Sequence, residues 1–142
     1  MNPDLRQKFI QFIKFGIVGL SNTIISYVIY VVSLLIMQKY QMLPKTDYLV
    51  AQFFGFVLSV LWSFYWNRRF VFKEGAEKVS WPVALLKTYA SYAFTGILLN
   101  SILSFLWVEY LHIPKLIAPV INLLVSVPLN FILNKFWAFG EK

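Results

Sequence analysis

Four stretches of this chain carry no Asp, Glu, Lys, Arg or His: residues 15–38, 48–67, 88–108 and 116–134. Each holds about 19 to 24 residues, and at about 1.5 Å of rise per residue a helix of that length crosses a hydrocarbon core roughly 30 Å thick. Of the 142 residues, 59% are hydrophobic and only 13% charged, against about a quarter charged in a globular domain. A soluble fold of this size cannot hide so much apolar surface. The expected class is an all-α integral membrane protein with four transmembrane helices, and no large soluble domain is left over.

The helices are expected at about 12–37, 48–66 and 115–136, with a third that residues 85–87 lead into from the interface and that runs to about 107. The segment 9–15 is aromatic and basic and suits the headgroup zone. Pro44 breaks a short outer loop from Lys39 to Asp47, and Leu111-His112-Ile113-Pro114 makes a second outer turn. Ser80-Trp81-Pro82 reads as a helix start after a charge-rich inner loop. Pro119 falls in the first turn of the fourth helix, and Pro128, inside it, is expected to kink it. The first apolar run is too long for the apolar part of a cleavable signal, and no small-x-small pattern follows it. With no Cys and one His, His112, disulfides, thiolate sites and His-rich metal sites are excluded, and no cofactor is expected.

Net charge is +7, and ten of the thirteen basic residues fall on one side. Arg6, Lys8 and Lys14 precede the first span, Arg68, Arg69, Lys73, Lys78 and Lys87 surround the central loop, and Lys135 and Lys142 follow the last span. Lys39, Lys45 and Lys115 lie on the other side. The positive-inside rule places both termini and the central loop in the cytoplasm. Contact with anionic lipid headgroups accounts for most of these charges, so nucleic acid is not an expected partner.

The chain also repeats itself. Asn67-Arg68-Arg69-Phe70-Val71-Phe72 closes the second span and Asn134-Lys135-Phe136-Trp137-Ala138-Phe139 closes the fourth. At the same offset of 67 residues, Ala51, Ser59 and Ser63 fall on Ala118, Ser126 and Asn130. One structural unit used twice is the expected cause. The chain then reads as one membrane domain over 1–142, with repeats at 9–73 and 84–140 and a cytoplasmic linker at 74–83. The two hairpins have the same orientation, as in parallel-repeat transporters.

Asn122, Ser126, Asn130 and Asn134 recur every fourth residue and share one helix face. Gly55, Ser59, Ser63 and Asn67 form a weaker copy, and Asn22 and Asn100 add one amide each to the first and third spans. Small and polar residues are ordinary glue between membrane helices, which is the reading for Gly19, Gly55, Ser59, Ser63, Gly96 and Ser104. Buried amides without partners are costlier, so the asparagines also suit a hydrated or headgroup-lined face. At the two feet, Arg68, Arg69 and Lys135 can hold phosphate, with Asn67 and Asn134 adding amide donors. Phe70, Phe72, Trp137 and Phe139 offer apolar faces to an isoprenoid chain or a sugar. Each of these also fits a snorkelling basic and aromatic belt, and the duplication favours an anionic headgroup site. No acidic residue lies within the spans, which disfavours a proton-coupled exporter. No nucleophile–base set or paired carboxylates point to an enzyme.

These features resemble the GtrA-like family of small membrane proteins. The resemblance rests on 15–22, which opens the first helix, on Gly96 to Asn100, on the 67–72 foot and on 130–139. It implies a bacterial cytoplasmic-membrane protein of cell-surface polysaccharide or teichoic-acid modification. Such a protein flips a polyprenyl-phosphate-linked monosaccharide outward and works beside membrane glycosyltransferases. A similar four-helix unit is fused to polyprenyl-phosphate sugar synthases, which leaves a non-transporting scaffold as the alternative. The feet of the family fall here on Asn67, Arg68, Phe72, Asn134, Lys135 and Phe139. Phe136 stands where the first foot has Arg69, so the two sites should differ. The proposed path runs past Asn22, Ser59, Ser63, Asn100, Ser126 and Asn130. Four helices make a small wall for it, which a homodimer would enlarge.

Overall fold

The computed structural model describes residues 2–114 and 117–142, the side chain of Pro119 excepted. Among them every regular element is helical, and four helical stretches are long and apolar enough to cross a membrane: Pro3–Lys39, Asp47–Val71, Trp81–Tyr110 and Val120–Ala138. The chain divides into two compact units, Met1–Val71 and Phe72–Lys142.

In the first unit, α1 (Pro3–Lys39) starts well before residue 12. The reason is local: Asn2 accepts the Asp4 N–H at 2.9 Å, Pro3 is preset for a first helical turn, and Asp4 complements the positive helix end. At 37 residues α1 is about 55 Å long, so its first turns extend beyond the hydrocarbon. It ends on Gln41, whose φ of 52° lets Met42 N–H reach the Met37 carbonyl at 2.8 Å. The chain returns through α2 (Asp47–Trp66), which widens into a π-type turn over Asn67–Val71. Gln11 Nε2 donates to the Val71 carbonyl at 2.8 Å, satisfying an acceptor that the helix end leaves open. The two helices approach closely at Gly55, where a Cβ would lie 3.0 Å from the Ser26 carbonyl oxygen. Ile17, Leu20, Ile24, Leu35 and Phe53 remain exposed, as apolar side chains facing lipid do.

The second unit opens with α3 (Lys73–Lys78), a short helix where a loop was expected. Then α4 (Trp81–Ala93), a π-type segment Phe94–Leu99, α5 (Asn100–Phe105) and a second π-type segment Leu106–Tyr110 form one continuous span. The expected helix start at Lys115 lies outside the described residues. α6 (Ala118–Ile132) runs through Pro128 without interruption and widens over Leu133–Ala138.

Both spans of this unit close alike. His112 (φ 54°) lets Ile113 N–H reach Trp107 O at 2.9 Å, and Gly140 (φ 61°) lets Glu141 N–H reach Lys135 O at 2.8 Å. Each closure is one residue wider than the usual left-handed helix ending, because the last turn is of the π type. Hydroxyls along α4 return to their own helix: Thr88 Oγ1 donates to Ala84 O and Ser91 Oγ to Lys87 O, both at 2.8 Å.

Gly19 and Gly96, read as packing glycines, are corrected here: a Cβ at either meets nothing within 4 Å among the described residues. Gly55 does the packing. Gly55→Val should therefore destabilise the first unit by roughly 1–3 kcal/mol, whereas Gly19→Ala should stabilise α1 by up to about 1 kcal/mol. Thermal unfolding of both variants in detergent checks the opposite signs.

Candidate functional site

The first foot is the π-type turn Asn67–Val71. Arg69 is exposed, donates through Nη1 to Tyr65 Oη at 3.1 Å and lies 5.9 Å from the Phe70 ring centre. Phe70 stacks on Trp66 at 5.0 Å with the planes 14° apart. The guanidinium is thus braced by aromatic groups of its own helix while most of its five N–H donors stay available. Arg68 is half-buried and has no hydrogen-bond or ion-pair partner among the described residues. Asn67 is fully buried: its Nδ2 donates to Ser63 Oγ at 3.4 Å, and its Oδ1 accepts nothing among the described residues.

The second foot, Leu133–Ala138, is built differently. Lys135 is 5% exposed and Glu141 6%, and Lys135 Nζ lies 3.1 Å from Glu141 Oε1. The other carboxylate oxygen accepts the Gly75 N–H at 3.0 Å. Gly75 is required there, since a Cβ would overlap the Phe139 carbonyl oxygen. The left-handed Gly140 turns the chain so that Glu141 folds back onto the helix end. Lys135, assigned from the sequence to a lipid phosphate, already has its charge balanced inside the protein. Asn134, assigned the same task, is fully buried and donates to Asn130 O at 2.7 Å. Phe72 and Phe139, read as lipid-facing, are enclosed and stack on each other at 5.1 Å. Phe70 and Trp137 remain exposed, and Lys87 sits 5.5 Å from the Trp137 ring centre.

The polar stripes divide as well. In the second unit, Asn122 Oδ1 accepts from Trp107 Nε1 at 2.9 Å while its Nδ2 donates to Ser104 Oγ at 2.7 Å. Thr95 Oγ1 donates to Asn130 Oδ1 at 2.8 Å. These bonds tie neighbouring spans of that unit together, the glue role of membrane amides. Ser59, Ser63 and Ser126 are buried, and Ser59 Oγ returns to Phe56 O at 3.1 Å. Asn22 and Asn100 each keep a buried Oδ1 that accepts no hydrogen bond among the described residues.

The first unit also contains a cavity of about 370 Å³ beside the Asn67–Val71 turn. Trp62, Trp66 and Phe70 wall it, and Lys14 and Ser21 supply polar groups. Ile17, Val18 and Val71 complete it. Sequence reading missed this pocket, though its signal was present in two tryptophans four residues apart facing a lysine on the preceding helix. It also missed Glu141, whose signal was an acid six residues beyond a duplicated basic position.

The GtrA/DPMS transmembrane-domain family model matches residues 14–139. The chain is similar to the bactoprenol-linked glucose translocase of Shigella phage SfV, at 27% identity over 130 residues, or 92% of this chain and 95% of that one. No solved structure matches the chain.

Glu141→Gln should strand the buried Lys135 ammonium and destabilise the second unit by roughly 3–5 kcal/mol. The double variant Lys135→Met/Glu141→Gln should recover much of that loss, because it removes the uncompensated charge. Thermal unfolding of the single and double variants measures both.

Proposed function

The chain belongs to the GtrA/DPMS transmembrane-domain family, and on that premise we propose that it translocates a polyprenyl-phosphate-linked monosaccharide across a bacterial cytoplasmic membrane. The name of the similar phage protein, which specifies bactoprenol-linked glucose, supports cargo of that class.

The observation that carries the reading is the set of buried amide oxygens, Oδ1 of Asn22, Asn67, Asn100 and Asn134, that accept no hydrogen bond among the described residues. An unmatched buried acceptor costs about 1–3 kcal/mol, and sugar hydroxyls are the donors that would relieve it. A headgroup crossing hydrocarbon needs such substitutes for water. The phosphate docks at Arg68 and Arg69, where Arg69 spends one donor on Tyr65 Oη and keeps the others, and the isoprenoid tail stays in lipid. Lys135 takes no part in docking and instead holds the second foot together. The distribution of basic residues supports cytoplasmic termini and a cytoplasmic central loop, where a membrane glycosyltransferase would hand over its product.

A static scaffold that binds the lipid and a glycosyltransferase is the second reading, favoured by the firm Asn122 and Asn130 bonds in the second unit. Liposomes separate the two. Accelerated leaflet exchange of a labelled polyprenyl-phosphate glucose is expected for translocation, and binding with no exchange would establish the scaffold.

Arg68→Gln/Arg69→Gln should cut exchange by more than about tenfold, given two lost charge-assisted contacts, with unfolding temperature little changed. Orientation is checked separately. The chain has no Cys, so Glu77→Cys and Met42→Cys can be labelled one at a time in intact cells. Residue 77 should be protected from an impermeant maleimide and residue 42 should react.

A further inference from the structure

We infer that the cavity of the first unit is the sugar subsite, receiving the monosaccharide of a glycosyl-phosphate headgroup while Lys14 shares the phosphate with the adjoining arginines. This rests on the translocation reading above and specifies where the cargo is recognised.

The cavity and the arginines belong to one piece of backbone. Phe70 and Val71 line the pocket, and Arg68 and Arg69 stand in the same turn. Gln11 holds that turn to α1 through the Val71 carbonyl, so floor and phosphate site keep a fixed spacing. A head held by the arginines therefore has its sugar beside the pocket.

The lining chooses among occupants. An isoprenoid chain needs apolar walls and no donors. Here Trp66 Nε1 is buried and donates to nothing among the described residues, whereas Trp62 Nε1 is taken by Ser21 Oγ at 3.1 Å. An unmatched indole N–H on a residue that lines the pocket suits an oxygen-bearing ligand. Lys14 adds a positive charge, which suits a ligand carrying phosphate. About 370 Å³ lies near the lower end of the roughly 300–1,000 Å³ typical of small-molecule sites, which suits one sugar ring and not an oligosaccharide. Apolar walls with a few placed polar groups are the usual composition of such sites.

The test is binding to the full chain in nanodiscs, followed by tryptophan fluorescence. Three probes are compared: polyprenyl-phosphate glucose, sugar-free polyprenyl phosphate, and glucose 1-phosphate. Trp66→Phe keeps the ring and deletes the N–H. It should weaken the lipid-linked sugar about tenfold and leave sugar-free polyprenyl phosphate unchanged, the latter also reporting that the variant is folded. Phe70→Leu, which removes the ring from the wall, should show the same selectivity. Lys14→Gln should weaken both lipids. Equal loss of both lipids in Trp66→Phe, or loss of neither, overturns the subsite. Glucose 1-phosphate binding as tightly as the lipid-linked sugar overturns its assignment to a lipid headgroup. Absence of leaflet exchange with these selectivities intact would fault translocation and leave the subsite standing.

Discussion

Inside hydrocarbon no water is available to a backbone or side-chain polar group, and every feature of this chain follows from that condition. The spans are helical because only a helix satisfies its own N–H and C=O groups. Hydroxyls within them turn back to carbonyls one turn earlier, as Thr88 and Ser91 do. Where a span ends, its open carbonyls are met by a left-handed residue, as at Gln41, His112 and Gly140, or by a side chain such as Gln11. A polar atom that escapes this accounting is therefore informative. Among the described residues, Oδ1 of Asn22, Asn67, Asn100 and Asn134 and Nε1 of Trp66 escape it.

The two feet begin from related sequence and reach different ends. Both carry a π-type turn and a buried asparagine with an unmatched oxygen. In the first, Arg69 is exposed on an aromatic brace and Arg68 is half-buried. In the second, the cation is turned inward onto Glu141, and α3 supplies a backbone donor to the same carboxylate. A single acid near a duplicated base is enough to separate an end with an exposed cation from one whose cation is buried and paired. The balance is electrostatic: a buried ammonium without its partner is far costlier than an exposed guanidinium.

Much of the fold was legible because length and lack of charge dictate membrane spans whatever the packing. Positions 48–66 and the helix start at Ser80-Trp81-Pro82 follow from that and from proline chemistry. The early start of α1 is encoded in Asn2-Pro3-Asp4, a local capping signal that the extent of the apolar run does not reveal. The site was less legible. Periodicity put Asn122, Asn130 and Asn134 on one face but could not say that Trp107, Ser104 and Thr95 would meet the first two. Nor could local sequence reveal that Lys135 and Asn134 are enclosed, since burial depends on residues such as Gly75, distant in the chain.

The Lys135–Glu141 pair also bears on how the protein is made. Orientation in the bilayer is set by basic residues flanking each span as it is threaded, before tertiary contacts exist. At that moment Lys135 is an ordinary solvated cation at the end of the last span. After folding, it has left the surface. On the proposed orientation with cytoplasmic termini, the same side chain would act first as a topogenic signal and later as a fastener, and substitutions there would confound errors of biogenesis with errors of folding.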